Sequence, residues 1–280
     1  MDSSLRNKWR QDGFVIVKEA FDLKHTNRLK SICEFILEQW RVCNPETGKP
    51  GGNSDATVMR HLNHSGYFED SVSELTDLMD VVAANEVLEI CRIILGEEPL
   101  FRCTSLFMNP TRTSQDGSWH RDTQFITKTE HEEEAKIQSA EDTGNSIQLQ
   151  IALLANDDVE FVPGSHLRWD TTKEYHIRKA DGGANSRSNT MSGSQRITLQ
   201  PGDVLAFNPY GLHRGRYHTD KPRRTLMLTY TKISVPCSDY FSYQPWFLEE
   251  GYLGNLTSGT RLFFETFVST YKSDWKTDLN

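Results

Sequence analysis

The sequence predicts a mainly β protein, a jelly roll whose outer sheet is backed by N-terminal helices. Through residue 98, apolar side chains recur at three- and four-residue steps, the period of one helical face. After Pro99, short β-branched and apolar runs alternate with turn clusters. The helices precede the strands instead of alternating with them, which favours packed antiparallel sheets over βαβ units.

Asp12-Gly13 marks a turn, and Phe14 to Val17 is a short β-prone run. A helix is expected over 24–42, because Leu29, Ile32, Cys33, Ile36, Leu37 and Trp40 share one face. Pro45, Gly48, Pro50, Gly51 and Gly52 impose a loop over 44–55. Ser71 with Glu74 has the spacing of a capping box, opening a second helix that carries Leu75, Leu78, Met79 and Val82. A third helix over 86–95 stops at Gly96, the residue type favoured just past a helix end. Strands are expected at 100–108, 147–154, 159–162, 196–199, 203–208 and 224–231. Two long insertions interrupt them, a charged one at 128–144 and one rich in Gly, Ser and Asn at 181–195. Loops of such length are either functional lids or solvated decoration. The expected organisation is one domain over 1–280, with a helical support region at 1–98, a jelly-roll core at 99–235 and a C-terminal extension at 236–280 packed on that core.

The 280 residues carry a formal charge of −8, which argues against a nucleic-acid partner. The five cysteines, at 33, 43, 91, 103 and 237, are odd in number and lack CxxC spacing, so neither a disulfide framework nor a zinc ribbon is expected. Cys33 and Cys91 fall on apolar helix stripes and read as reduced core thiols. The first residues lack the apolar run of a signal peptide, and no stretch approaches the ~18 apolar residues of a membrane span. A cytoplasmic protein with no membrane partner is expected.

His120-Arg121-Asp122 sets an imidazole and a carboxylate two residues apart, on one side of a strand end, so both can ligate one metal. Downstream, Pro201-Gly202-Asp203 is a turn, Val204 to Phe207 a strand, and His213 lies beyond it at a loop edge. Antiparallel pairing can bring His213 back to His120 and Asp122. Two histidines and one carboxylate leave the opposite positions of a metal open, the ligand set of non-haem iron(II) oxygenases, and zinc hydrolases use the same residue types. Arg223, Thr225, Met227 and Thr229 share one face of the last strand, and Arg224, Leu226, Leu228 and Tyr230 the other. An Arg opening that strand is placed to take a carboxylate through two parallel hydrogen bonds. Trp119 and Phe125 flank the His-x-Asp motif, with packing as their default and substrate contact as the second reading. His166 reads as a turn-stabilising residue and His218 as an exposed one, while His61, His64 and His131 lack a carboxylate at ligand spacing.

In order along the chain, Asp12-Gly13-Phe14-Val15-Ile16-Val17, His120-Arg121-Asp122, Phe161-Val162-Pro163-Gly164-Ser165-His166, Pro201-Gly202-Asp203, His213 and the Arg223 strand resemble the phytanoyl-CoA dioxygenase family of 2-oxoglutarate-dependent oxygenases. The resemblance covers nearly the full length. It implies a double-stranded β-helix of the cupin-like kind, together with iron(II), 2-oxoglutarate and dioxygen. It also implies hydroxylation or desaturation of an aliphatic C–H bond in a small-molecule substrate, with release of succinate and carbon dioxide. By position it implies His120, Asp122 and His213 as the metal ligands. The cosubstrate Arg falls on Arg223 by the local pattern and on Arg224 by counting from the distal His, and Gln150 stands where relatives often carry a Trp beside the cosubstrate. Halogenating relatives replace the ligand carboxylate by Gly or Ala, so Asp122 implies oxygenation or desaturation without chlorination. The alternatives are a metal-dependent hydrolase or a non-catalytic binding module on the same barrel.

Overall fold

A computed structural model describes residues 2–140 and 144–275 of the chain. Residue 1, residues 141–143 of the first insertion and residues 276–280 of the extension lie outside the described residues. The chain opens with α1 (Asp2–Asp12), β1 (Phe14–Val17), α2 (Leu23–Val42), β2 (Val58–Arg60), α3 (Val72–Val82) and α4 (Asn85–Leu95). It continues through β3 (Pro99–Met108), β4 (Gln115–Asp116), α5 (Glu130–Gln138), β5 (Ser146–Ala152) and β6 (Asn156–Phe161). Then come α6 (Thr172–Arg178), a kinked turn α7 (Ala180–Gly183), β7 (Gln195–Leu199), β8 (Val204–Phe207), β9 (His213–Tyr217), β10 (Arg224–Lys232) and α8 (Ser258–Trp275).

The strands pair antiparallel into a six-stranded sheet, ordered β1-β8-β5-β10-β3-β2, and a four-stranded one, ordered β4-β9-β6-β7. Side chains alternate across the larger sheet. On β10, Leu226, Leu228 and Tyr230 join a core with Leu29, Leu78, Ile94 and Phe264 of the helices. Its other face turns Met227, Thr229 and Thr231 towards a cavity. Beside that cavity the two sheets share a second core, in which Phe14, Leu205 and Phe207 meet Val159, Phe161 and Ile197. Removing one such side chain, as in Leu226→Ala, costs about 2–5 kcal/mol in a core that cannot collapse.

Several expectations change in detail. β1 and β2 belong to the first 98 residues yet pair into the large sheet. Ser71 caps α3 without a side-chain hydrogen bond, because its backbone (φ −140, ψ 49) is not the extended one a capping hydroxyl needs. Glu74 bonds Ser73 instead, at 2.7 Å. Full capping boxes form at Thr129/Glu132 of α5 and Thr171/Glu174 of α6. Gly96 closes α4 in the left-handed conformation, φ 76. Gly13 is required by contact: a Cβ there would lie 2.4 Å from Nδ1 of the buried His166, which packs the Pro-Gly-Ser-His turn against the start of β1.

Candidate metal centre

His120 and His213 form an isolated antiparallel bridge, each backbone N–H donating to the other's carbonyl at 3.0 Å. Their rings lie 4.3 Å apart between centroids. His213 is thus the first residue of β9, not a loop residue. Asp122 is aimed by a turn, not by strand alternation. It opens the 3-10 helix Asp122–Phe125, and its N–H donates to the Pro209 carbonyl at 2.9 Å. Asp122 Oδ1 consequently lies 3.6 Å from Nε2 of both histidines. One ligand atom from each of the three residues falls within 4.8 Å of the others.

The remaining polar atoms of the trio are already used. His120 Nδ1 faces the Ser118 carbonyl at 2.7 Å and His213 Nδ1 the Gly211 carbonyl at 2.9 Å. A carbonyl only accepts, so both Nδ1 atoms carry the proton and both Nε2 atoms offer lone pairs to a shared point. Gln148 Nε2 donates to Asp122 Oδ2 at 2.5 Å, leaving Oδ1 turned to the imidazoles. Burial, reinforced by the neighbouring His120 ring and opposed by Asp122, lowers the His213 pKa to about 4. A neutral imidazole is the form that binds a metal. The donor set therefore fits a divalent metal with open positions.

The trio lines a cavity of about 620 Å³ that also receives Arg223, Gln148 and Gln150. Arg223 is 1% exposed, with its guanidinium 5.3 Å over the Phe107 ring and 5.5 Å from Tyr217. Its Nε donates to Thr225 Oγ1 at 3.3 Å and lies 3.8 Å from Asp158, while Nη1 has no hydrogen-bond partner. A buried guanidinium with a free N–H is a prepared seat for a carboxylate. Arg224 points to the opposite face, where Nε and Nη2 bond Glu34 of α2 at 2.8 and 3.2 Å. Gln150 keeps a side-chain carbonyl without a partner.

Phe125 is 68% exposed and lines the cavity, its ring 5.7 Å from that of His120. Trp119 does not line it, which removes the substrate-contact reading. Its ring is buried with Val162, Ile177, Met191 and Leu212, its indole N–H donates to the Ser188 carbonyl at 3.0 Å, and Arg214 covers it at 4.7 Å. Neighbours in an extended segment point to opposite sides, so the residue beside His120 faces away. Sequence reasoning missed Gln148, although Ser146, Gln148 and Gln150 are polar at every second position of an otherwise apolar strand. It also missed Glu46, which the fold brings to His61 at 2.5 Å.

The family described as Phytanoyl-CoA dioxygenase (PhyH) matches residues 9–225 of the chain. No curated protein matches it. Among solved structures, AviO1 from Streptomyces viridochromogenes Tue57 is 16% identical, with a TM-score of 0.59 over 85% of this chain and 98% of that one. EctD from S. alaskensis, solved with 2-oxoglutarate and 5-hydroxyectoine, is 16% identical, with a TM-score of 0.58 over 89% of this chain and 84% of that one. The non-heme alpha ketoglutarate dependent carbocyclase SnoK from nogalamycin biosynthesis is 16% identical, with a TM-score of 0.58 over 83% and 85%. At such identities the likeness carries the fold alone, an antiparallel, mainly β structure with helices that matches the cupin-like fold of these neighbours.

Proposed function

The chain belongs to the phytanoyl-CoA dioxygenase family, and from that premise we propose that His120, Asp122 and His213 hold the iron(II) of this enzyme. The family comprises non-haem, 2-oxoglutarate-dependent oxygenases acting on small molecules, and this chain is one of them. The ligand assignment rests on one observation, the convergence of two imidazole Nε2 atoms and Asp122 Oδ1 whose other polar atoms are all held by protein. Iron(II) with 2-oxoglutarate and dioxygen supplies the oxidising power for attack on an aliphatic C–H bond, with succinate and carbon dioxide released.

The protein's part is to bind, orient and exclude water. Arg223 takes the distal carboxylate of 2-oxoglutarate through its free Nη1, and Phe107 and Tyr217 fix the guanidinium plane. Gln150 lines the cavity beside the cosubstrate, and Phe125 covers the cavity over His120. Gln148 fixes which oxygen Asp122 presents. We read the strands of the two sheets over 99–235 as the halves of a double-stranded β-helix, with 1–98 as its support, adding β1 and β2 to the edges of the larger sheet, and 236–280 packed on it. That reading draws on the antiparallel pairing and the shared inner core. Five free cysteines suit a reducing compartment, and we assign the protein to the cytoplasm.

Purified without oxygen, the protein should bind a single iron(II), and His120→Ala or His213→Ala should abolish tight binding. On admitting oxygen and 2-oxoglutarate, only the wild type should release succinate. Wild-type succinate release by either variant would overturn the ligand set.

A further inference from the structure

Five cations line the cavity: Arg60, Arg102, Lys136, Arg214 and Arg223. Three have a protein carboxylate within ion-pair distance, Arg102 with Asp239, Arg214 with Glu160 at 2.5 Å and Arg223 with Asp158 at 3.8 Å. Among the described residues, Arg60 and Lys136 have no carboxylate within ion-pair distance. Arg60 donates to the Ser105 hydroxyl at 3.0 Å and lies 4.6 Å over the Phe241 ring, which Arg102 also covers at 5.4 Å. Positive charge that no described carboxylate pairs with, set against an aromatic wall inside a cavity, attracts an anion.

The backbone explains how these cations gather. Cys103 pairs with Thr229 and Phe101 with Tyr230, so Arg102 is the unopposed residue of a β-bulge. Bulges re-aim a side chain, here into the cavity. Arg60 ends β2 in register with Ser105, which opposes Met227, which opposes Gln150. Three interstrand steps put Arg60 roughly 14 Å from β5, the strand whose Gln148 holds Asp122. Lys136 reaches the same cavity from α5.

We propose that Arg60, assisted by Lys136, is an anion subsite for the substrate: the molecule oxidised here carries a carboxylate or phosphate. Its acid group sits on Arg60, and its reacting carbon extends towards the metal trio across the roughly 14 Å that separate Arg60 from β5. The proposal rests on the reading of His120, Asp122 and His213 as the iron site. It is distinct from the Arg223 seat, which is enclosed by Phe107 and Tyr217.

The test titrates iron(II)- and 2-oxoglutarate-loaded protein, held without oxygen, with octanoate, octyl phosphate and neutral 1-octanol in a calorimeter. At least one acid should bind about tenfold more tightly than the alcohol, as one charge-assisted contact implies. Whichever acid is preferred identifies carboxylate or phosphate. Arg60→Met should erase the preference, Arg60→Lys should keep most of it, and Lys136→Met should reduce it by about threefold, a fraction of one such contact. Lys136 is half-buried on α5, so its variant carries the test if Arg60→Met does not fold. Equal binding of acids and alcohol by the wild type, or an undiminished preference in Arg60→Met (in Lys136→Met where Arg60→Met does not fold), overturns the subsite. Repeating the titration without metal separates the two readings. If iron fails to bind while the acid preference persists, the metal reading falls and the subsite stands.

Discussion

Arg223 and Arg224 adjoin in sequence, yet one lines the cavity and the other pairs with Glu34 on the helical side of the sheet. The variant Arg223→Leu removes charge-assisted hydrogen bonds worth roughly 1.5–3 kcal/mol each. Affinity for 2-oxoglutarate should therefore fall by about two orders of magnitude or more, with iron binding nearly unchanged. Arg224→Leu should leave that affinity near the wild-type value, since it breaks only a half-exposed ion pair. Anaerobic calorimetry with 2-oxoglutarate checks both, and a larger loss in Arg224→Leu would move the anchor to that residue. Gln148 calls for a second measurement. Gln148→Leu strips Asp122 Oδ2 of its donor and should weaken iron(II) binding by roughly 10–100-fold, read by competition with a chelator. The alternation that separates Arg223 from Arg224 was legible in the sequence, because side chains on a strand repeat every two residues. Which face turned inward was not, since Leu226, Leu228 and Tyr230 on one side and Met227 on the other are all apolar enough for a core.

Helix α6 shows how an element stores its stability in a cap. Glu174 closes the capping box with Thr171 and grips Arg168 at 2.6 and 2.7 Å. Burial would raise its carboxyl, but the Arg168 and Thr171 hydrogen bonds outweigh that and lower it from 4.5 to about 2. A depressed carboxyl contributes stability above its unfolded value and loses it as pH falls through the folded one. Wild-type stability should thus drop between pH 4.5 and about 2, and Glu174→Gln should be less stable at neutrality with a shallower drop over that window. Urea melts across that range measure it, and parallel curves would deny Glu174 the role. Thr171 and Glu174 stand at the same capping-box spacing as Ser71 and Glu74, and only the Thr171 backbone supplies the geometry. Strand β9 was hidden for a different reason. Its sequence, His213 to Tyr217, is charged, and only the pairing of Arg214 with Glu160 and of Arg216 with Asp116 lets it lie in a sheet. The apolar steps of Phe264, Phe267, Tyr271 and Trp275 on α8 were readable, and they fill the outer core with the N-terminal helices.

Across the whole molecule, a buried chain of charges joins the metal motif to α5 and α6. Arg121, between two of the proposed ligands, bonds Asp170 at 2.9 Å, and Asp170 also takes Arg178 at 2.7 Å. Arg178 reaches Glu133 of α5 at 2.8 Å, and Glu133 accepts from Thr123 at 3.0 Å and pairs with Lys179 at 2.7 Å. The side chains of Arg121, Asp170, Arg178 and Glu133 are fully buried. The described part of the 128–144 insertion is thereby tied through Glu133 to the metal motif and to α6, with Lys136 lining the cavity, where the sequence left a lid and solvated decoration both open. Removing one partner from a buried pair leaves the other charge without water or counterion, so Glu133→Ala should cost about 3–5 kcal/mol. Arg28→Ala, which ends a half-exposed pair with Asp77, should stay within about 1 kcal/mol of wild type. Net charge argues the opposite order. From −8, the first variant moves to −7 and relieves repulsion, while the second moves to −9 and adds to it. Denaturant melts of the two variants decide between local desolvation and global charge. If Glu133→Ala proves as stable as Arg28→Ala, the buried chain does not hold α5 to the site. If it is much less stable and also binds iron(II) more weakly, Arg121 transmits that loss to the ligands on either side of it.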